Sequence, residues 1–209
     1  MAVRTKKPKR QSYHHGDLAR ALVEAAVDLI STKGPEAFTL REVAASLGVT
    51  HGAAYRHFAD KAALLAAVSE EGYRALSARL AEVAAIPEKS PKLRIRAIAA
   101  AYVAFAVERP AHYRVMWGPR LNRDGRFQSL ELAIEQAFDI VHSEMVRGQE
   151  AGVFRKKPAA RELAFGMWVA AHGYVELVSR RRLKVKSPKV TVEYFGTLFE
   201  TFLDGLMRT

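Results

Sequence analysis

The sequence predicts an all-α fold in two parts, a small N-terminal domain of three helices and a larger C-terminal helical bundle. Apolar residues recur every three or four positions through most of the chain, which is the period of an amphipathic helix. Residues typical of helix caps and stops divide the chain into short helices before residue 60 and longer ones after it. Alternating apolar runs long enough to favour a sheet do not occur in the sequence.

The composition is ordinary for a globular protein, with 49% hydrophobic and 26% charged residues among 209. The sequence has no cysteine, which excludes disulfides and thiolate metal sites and favours a reducing cytoplasm. The basic N-terminus lacks the apolar run of a signal peptide, and the apolar stretch over 95–107 is too short to span a bilayer. We therefore expect a cytoplasmic protein that does not enter the membrane.

The formal net charge of +11 favours an anionic partner, with nucleic acid first. The charge is uneven, since residues 1–10 carry five Lys or Arg and no acid, whereas residues 11–61 hold five Lys or Arg against six Asp or Glu. Residues 1–12 are expected to form a disordered basic arm, which either contacts DNA or only keeps the protein in solution. Net charge alone does not locate the contact surface.

The first helix is expected over residues 17–33. Asp17 is its expected N-cap, and its apolar residues follow one another at spacings of four, three and four. Gly34-Pro35 ends it, with glycine just past the last turn and proline beyond.

Two very short helices follow and predict a helix-turn-helix motif over 39–58. An S/T-x-x-E capping box starts the second helix at Thr39, and Gly48 ends it after about two turns. Thr50 caps a third helix that is expected to run to about Phe58. Such short helices are unstable alone, so they must pack on the first helix. The side chains expected to do so are Val49, Tyr55 and Phe58.

The rest of the chain is also predicted to be helical. The fourth helix covers 61–85, after Asp60 as N-cap. The later helices are expected over 92–108, 127–150, 159–182 and 190–207. The helix over 159–182 is apolar on several sides and is expected to be buried on two faces, with Gly173 allowing close helix packing. The last two helices carry more apolar surface than one subunit needs, which predicts a four-helix interface between two subunits.

At residues 38–65, the run FTLREVAASLGVTHGAAYRHFADKAALL resembles the DNA-binding domain of TetR-type transcriptional regulators. Three further stretches are similar to the TetR subgroup whose C-terminal domain is named for a Trp-His-Gly motif. These are YHHGDL at 13–18, HYRVMWG at 112–118 and WVAAHGYVEL, which contains Trp168, His172 and Gly173. The family is all-helical and dimeric, and it generally represses transcription until a small ligand binds the C-terminal domain.

The resemblance implies a DNA-binding domain over 13–62 and a ligand-binding and dimerisation domain over 63–209, with the fourth helix as connector. It implies a homodimeric repressor that an unknown small-molecule effector releases from a palindromic, double-stranded DNA operator. Such a bacterial regulator is expected in the cytoplasm, associated with the nucleoid when bound.

Position in the motif assigns the candidate DNA contacts, because the first residues of the recognition helix face base edges. These contacts are Thr39, Arg41, Thr50, His51, Gly52, Ala53, Tyr55, Arg56, His57 and Lys61. Thr39, Arg41 and Lys61 are expected at phosphates. Thr50 both caps its helix and touches a phosphate, and Gly52 lets the backbone approach closely.

Few of these side chains are able to read bases. His51 can donate to a base acceptor or a phosphate, and Arg56 can read guanine or hold the DNA backbone. Ala53 can offer a methyl group to thymine, whereas Tyr55 is expected to keep its ring in the core and its hydroxyl near phosphate. The family often carries threonine or serine at Ala53 and a larger apolar residue at Ala54. We therefore expect direct readout to rest on His51 and Arg56, helped by DNA shape.

Other classes of function are less well supported by the sequence. His51 and His57 are six residues apart, on nearly opposite sides of a helix, so they are not expected to share a metal. No nucleophile–base signature, phosphate loop or catalytic carboxylate pair is present, so neither an enzyme nor a cofactor is predicted. A transcriptional activator and a less specific architectural DNA-binding protein stay open as alternatives.

The C-terminal half carries aromatic, methionine and histidine side chains at helical spacing. That pattern is typical either of a ligand pocket or of plain core. The candidate pocket residues are Tyr102, Phe105, Tyr113, Met116, Phe138, His142, Trp168 and His172.

Overall fold

The computed structural model describes residues 15–87, 90–118, 121–122 and 124–207, so the predicted arm over 1–12 lies outside the described residues. Nine helices and no strand occur in that part of the chain, where one isolated bridge pairs Phe154 with Met207. The helices are α1 (His15–Lys33), α2 (Leu40–Ser46), α3 (His51–Tyr55), α4 (Lys61–Ala84), α5 (Pro91–Glu108), α6 (Pro110–Met116), α7 (Gln128–Glu150), α8 (Ala160–Ser179) and α9 (Pro188–Leu206). None of these described helices has the length and apolar character needed to cross a membrane.

The chain divides into two compact units between Leu64 and Leu65, inside α4. The first unit holds α1, α2, α3 and the first residues of α4, and the second holds the remainder of α4 and the helices from α5 to α9. The boundary predicted from the sequence, between residues 62 and 63, is two residues earlier.

The helix-turn-helix of the first unit is held by local hydrogen bonds. Thr39 Oγ1 accepts from the Glu42 N–H at 3.2 Å, and the Glu42 carboxylate accepts from the Thr39 N–H at 2.8 Å, so the predicted capping box is present. Gly48 has φ of 66°, in the left-handed region, and the next N–H, of Val49, donates to the Ala44 carbonyl at 3.0 Å. A side chain at Gly48 would strain this turn.

The first unit is stabilised by a small apolar core shared by three helices. Leu22 and Ile30 of α1, Val43 of α2 and Ala54 of α3 are all fully buried, and α1 contacts both short helices. A helix of five or seven residues has little stability of its own, so α2 and α3 depend on this packing.

Two predicted helix boundaries in this unit were wrong. The helix α1 begins two residues before Asp17, which is therefore not its N-cap. The helix α3 ends at Tyr55 and not near Phe58. The Ala54 carbonyl still accepts the N–H of His57 and the N–H of Phe58, both at 3.0 Å, so the chain leaves the helix through one hydrogen-bonded turn.

In the second unit, α5 is the central helix and contacts α6, α7, α8 and α9. Its apolar residues cover most of its circumference, and Ile95, Ile98, Val103 and Phe105 are almost completely buried. A helix with apolar residues on all sides must be enclosed by others. The α4 side chains Leu76 and Leu80 belong to the same core cluster.

The helix α6 was not predicted, because Pro110 was interpreted only as the residue that stops α5. The chain does leave α5 at Arg109, with φ of −124° and ψ of 58°. Pro110 then occupies the first position of α6, where its missing N–H is not needed and its fixed φ suits the helix. The same proline therefore starts a helix that carries Tyr113 and is followed directly by Trp117.

One face of α8 is open within the chain. Phe165, Val169 and Leu177 are 47%, 70% and 51% exposed, so the expected burial of this helix on two faces was wrong for a single chain. Gly173 lies on the same face, and a Cβ added there would meet nothing within 4 Å among the described residues. The expected close helix packing at Gly173 is therefore absent within the described chain.

A buried carboxylate joins α5 to α7. Glu144 is 1% exposed and accepts hydrogen bonds from Arg94 Nε at 2.9 Å and from Arg147 at 2.5 Å. The Arg94 side chain is 17% exposed and that of Arg147 is 60% exposed, so the pair with Arg94 is the more strongly desolvated one. Removing one partner of a desolvated ion pair is costly because the other charge stays in a poorly solvated place.

We expect Glu144→Ala to lower the free energy of unfolding by about 3 kcal/mol, because it takes the carboxylate away from the largely buried Arg94. As a control, Arg147→Ala removes the exposed partner and should cost less than about 1 kcal/mol. Urea denaturation of both variants measures the difference, and equal losses would contradict this account of Glu144.

Candidate nucleic-acid interface and ligand cavity

The helix α3 presents a polar surface. Thr50 Oγ1 accepts from the Ala53 N–H at 3.3 Å and so fixes the start of the helix. His51, Gly52 and Arg56 are exposed, and a Cβ added to Gly52 would meet nothing within 4 Å in the described structure. The first turn of α3 is therefore accessible at both its backbone and its side chains.

The structure corrects two of the expected roles on α3. Ala53 is only 9% exposed and belongs to the core, so its methyl group is turned away from the surface where a thymine contact was expected. Tyr55 is 45% exposed and is not a core residue; its ring meets the ring of His51 edge-on, with 6.4 Å between centroids. The small residues Ala53 and Ala54 pack inward instead, and Tyr55 adds to the exposed surface.

The start of α2 carries another part of the predicted interface. Thr39 and Arg41 are exposed, but the Thr39 hydroxyl also bonds the Glu42 carboxylate at 3.0 Å. Hydrogen bonds from Lys33, at 3.0 Å, and from Thr39 lower the pKa of Glu42 below its usual value. Thr39 is thus held in one orientation by the cap.

Lys61 lies beside the segment that precedes α2. Its Nζ donates to the Glu36 carbonyl at 2.8 Å and lies 4.6 Å from the centre of the Phe38 ring. These two contacts fix the position of a half-buried cation close to the start of α2.

His57 is also half-buried. Nine of the ten predicted DNA contacts, all except Ala53, therefore lie at least partly at the surface.

The second unit contains a cavity of about 600 Å³, within the usual size range of ligand pockets. Its lining comes from α5, α6, α8 and α9 and combines aromatic, aliphatic and charged side chains. Of the eight predicted pocket residues, Tyr113 and His172 lie in this lining.

A chain of hydroxyl groups leads to the histidine of the cavity wall. Tyr102 donates to the Tyr113 hydroxyl at 3.4 Å, and the Tyr113 hydroxyl lies 2.5 Å from His172 Nδ1. The Trp117 ring stands beside the His172 ring, with 4.3 Å between centroids, and meets the Trp168 ring edge-on at 5.3 Å. Tyr113 and His172, the two predicted pocket residues that line the cavity, are thus held in an aromatic cluster.

Burial decides the protonation of this cluster. It raises the pKa of Tyr102 to about 12, although the hydrogen bond with Tyr113 acts in the opposite direction. The indole N–H groups of Trp117 and Trp168 are buried without a hydrogen-bond partner among the described residues. Burial also raises the pKa of Tyr113 and lowers that of His172. Burial thus favours the neutral forms of both groups, and the Tyr113 hydroxyl and His172 Nδ1 share one hydrogen bond.

The other predicted pocket residues lie elsewhere. Met116 packs closely against Gly72, since a Cβ added to that glycine would lie 2.6 Å from the Met116 Sδ. Met116 also lines a second cavity of about 380 Å³. Tyr102 and Trp168 line a separate small gap that shares no lining residue with the main cavity. The remaining three, Phe105, Phe138 and His142, are not in the lining of the main cavity.

Sequence reasoning missed the charged residues of the cavity. Arg114, Glu176 and Arg180 lie in its lining, together with the aromatic side chain of Trp117. Trp117 and Arg114 belong to α6 or follow it directly, so recognising Pro110 as a helix start would have placed them beside Tyr113. Among the described residues, no group of three His, Asp or Glu side chains is placed to hold a metal.

The geometry of the two units defines a class of protein. A capped short helix, a left-handed glycine turn and a second short helix with exposed polar side chains form a helix-turn-helix DNA-binding module. The same chain carries a helical bundle with a ligand-sized cavity. This combination is that of a DNA-binding transcriptional regulator.

The chain belongs to the TetR family. Residues 22–68 match the model of bacterial regulatory proteins of the tetR family, and residues 95–202 match the model of the tetracyclin repressor-like C-terminal domain. The resemblance to TetR regulators is therefore confirmed, whereas membership of the Trp-His-Gly subgroup stays a prediction.

Individual relatives agree with this assignment. HTH-type transcriptional repressor Rv3405c of Mycobacterium tuberculosis is 43% identical over 42 residues, which are 20% of this chain and 22% of the relative. A protein of unknown function from Rhodococcus sp. RHA1 superposes with a TM-score of 0.78 at 28% identity, covering 95% of this chain and 100% of the other. AibR, solved in complex with isovaleryl coenzyme A and operator DNA, superposes with a TM-score of 0.66 at 19% identity, covering 90% of this chain and 97% of AibR. An identity this low supports a shared fold only.

We expect acid to weaken the fold through His172. Because burial lowers its pKa below 6.5, the unfolded chain binds more protons than the folded chain between the two pKa values. The contribution of neutral His172 is fully present above the unfolded pKa and is lost as the pH falls through the folded pKa. Wild-type protein should therefore lose more unfolding free energy between about pH 7.5 and about pH 5.5 than His172→Gln does. Urea titrations across this range test the difference, and parallel pH profiles would contradict it.

Proposed function

We propose that the chain is a homodimeric repressor that a small molecule releases from a palindromic operator. The observation that carries the proposal is the exposed surface of α3, where the Thr50 cap fixes a helix that presents His51, Tyr55 and Arg56. An α-helix fits the major groove, and its first residues face the base edges. His51 and Arg56 are the proposed base-reading residues, and Tyr55 offers its hydroxyl to phosphate.

The remaining contacts are proposed at phosphates. Arg41 and Thr39 are exposed at the start of α2, and Lys61 is fixed nearby by the Glu36 carbonyl. Gly52 allows close approach of the backbone. Such contacts position a protein on DNA without reading its sequence. Ala53 has no proposed contact, since its methyl group lies in the core.

The proposed dimer uses the open faces of α8 and α9. Phe165, Val169, Gly173 and Leu177 follow one another at steps of four and form one exposed stripe of α8. A second exposed stripe lies on α9, formed by Val190, Tyr194 and Leu198. Patches of this kind favour association in water, and Gly173 would let the partner's helix approach closely. Two-fold pairing would also place two recognition helices on one operator.

The cavity of the second unit is the proposed effector site. It has the size of a ligand pocket, and Tyr113, Trp117 and His172 supply an aromatic wall. AibR is one protein of this fold that holds a small molecule and operator DNA together. An effector releases DNA only if it binds one arrangement of the dimer better than another, and α4 is the proposed connector.

Two other functions of the same surface are kept as outcomes to be tested. A transcriptional activator would use the same DNA contacts, and a reporter gene behind the operator separates it from a repressor. A less specific architectural binder is suggested by the net charge of +11. Competition with unrelated DNA distinguishes it, because a regulator should prefer its site by a factor of about 10³ or more.

The proposed division between base-reading and phosphate contacts can be tested on an operator found by footprinting upstream of the chain's own gene. We expect His51→Ala to weaken operator binding about tenfold and binding to scrambled DNA less than about twofold, because a lost base contact affects only the correct sequence. Lys61→Ala should weaken both about equally.

Lys189→Ala, which removes an exposed cation of α9, serves as the control and should change neither affinity. Thermal melts check that Lys61→Ala still folds, since this residue also bonds Glu36. If His51→Ala weakens operator and scrambled DNA to the same extent, His51 does not read bases.

The dimer face can be tested with a single charge. We expect Val169→Glu to weaken dimerisation at least about tenfold, because it places a charge in an apolar contact. Leu132→Glu places the same charge on an exposed leucine of α7 and should leave the dimer intact. Sedimentation velocity measures both variants. A dimer that survives Val169→Glu but not Leu132→Glu would place the interface on α7.

A further inference from the structure

The charge around the main cavity is unequal. Arg114 is exposed while belonging to the lining, so it lies at the opening, and it has no carboxylate partner among the described residues. Among the described lining residues Glu176 is the one acid, and it is engaged by Arg180, whose Nε lies 2.7 Å from the carboxylate. The charged part of the described wall therefore has a positive excess.

The chain that leaves the cavity adds to this excess. The stretch RRRLKVK, residues 180–186, begins at the lining residue Arg180 and contains five cations and no acid. Arg181, Arg182, Lys184 and Lys186 are all exposed. Apolar walls of low dielectric strengthen the field of such charges at the mouth of a cavity. Anions are thus favoured at this opening.

The inner part of the cavity has a different chemistry. The rings of Trp117, Tyr113 and His172 form its wall, and the aliphatic side chains of Val175 and Val178 also line it. His172 Nδ1 is engaged by the Tyr113 hydroxyl at 2.5 Å and is therefore occupied within the cluster. The wall offers mainly flat, apolar surface to a ligand.

We propose that the effector is a planar, mostly apolar molecule that carries an anionic group such as a carboxylate, sulfonate or phosphate. Its ring lies against Trp117 and His172, and its anionic group meets Arg114 at the opening. This inference rests on the proposed role of the cavity as the effector site and adds the chemical class of the ligand.

Two fluorescent probes test the proposal on the full-length protein without DNA. 8-Anilinonaphthalene-1-sulfonate and N-phenyl-1-naphthylamine share one aromatic skeleton and differ by the sulfonate. We expect Arg114→Gln to weaken binding of the sulfonate about five- to tenfold and binding of the neutral probe less than about twofold. Raising the salt from about 0.05 M to about 0.5 M should likewise weaken only the sulfonate.

Two further variants test whether the probes bind in this cavity. Arg155→Gln removes an exposed arginine that is not in the lining and should change neither probe. Ser179→Phe places a ring at an exposed position of the lining and should weaken both probes about tenfold by filling the opening. Quenching of the chain's two tryptophans, Trp117 and Trp168, follows binding independently of probe emission.

The outcomes separate this inference from the proposed function. Equal losses of both probes in Arg114→Gln, or unchanged binding in Ser179→Phe, would overturn the assignment of an anionic ligand to this cavity. The footprinting and dimer measurements do not depend on the probes. A protein that binds an operator but shows no charge selectivity would keep the proposed function and lose only the ligand class.

Discussion

The second unit is organised by the need to enclose α5. This helix has apolar residues on most of its circumference, so α6, α7, α8 and α9 all contact it. Each surrounding helix gives α5 one face, and the outer faces of α8 and α9 are left with exposed apolar side chains. The proposed dimer interface is thus a result of how the core is built. The buried carboxylate of Glu144 is matched in this arrangement by arginines on α5 and α7.

Much of the first unit could be predicted from the sequence because its determinants are local. A threonine with a glutamate three residues later, and a glycine in a left-handed turn, act over a few residues of chain. The predictions failed where packing overrides the local pattern. Tyr55 was expected in the core, yet Ala53 and Ala54 fill the space against the neighbouring helices and the tyrosine lies outside. Pro110 was ambiguous for another reason, since proline is equally suited to follow one helix and to begin the next.

The candidate cavity shows what helical periodicity is unable to provide. Tyr113 and His172 are 59 residues apart, and the packing of both α6 and α8 on α5 brings the hydroxyl to the imidazole. Tyr102, Phe105 and Phe138 have the same residue types and spacing as pocket residues, but none of them lies in the lining of the main cavity. The residue types predicted that aromatic side chains would line a cavity. The position of each side chain in the assembled bundle decides which of them do so.

The shortness of α3 limits how much sequence one subunit is able to read. Five residues at about 1.5 Å each give a helix about 7.5 Å long, which is little more than two base-pair steps of about 3.4 Å. A site of two or three base pairs recurs by chance every few tens of base pairs in any genome. Recognition through α3 alone would therefore hold too little information to mark one promoter. In the proposed dimer, the missing information comes from the fixed distance between two such helices and from the ease with which the DNA between them bends.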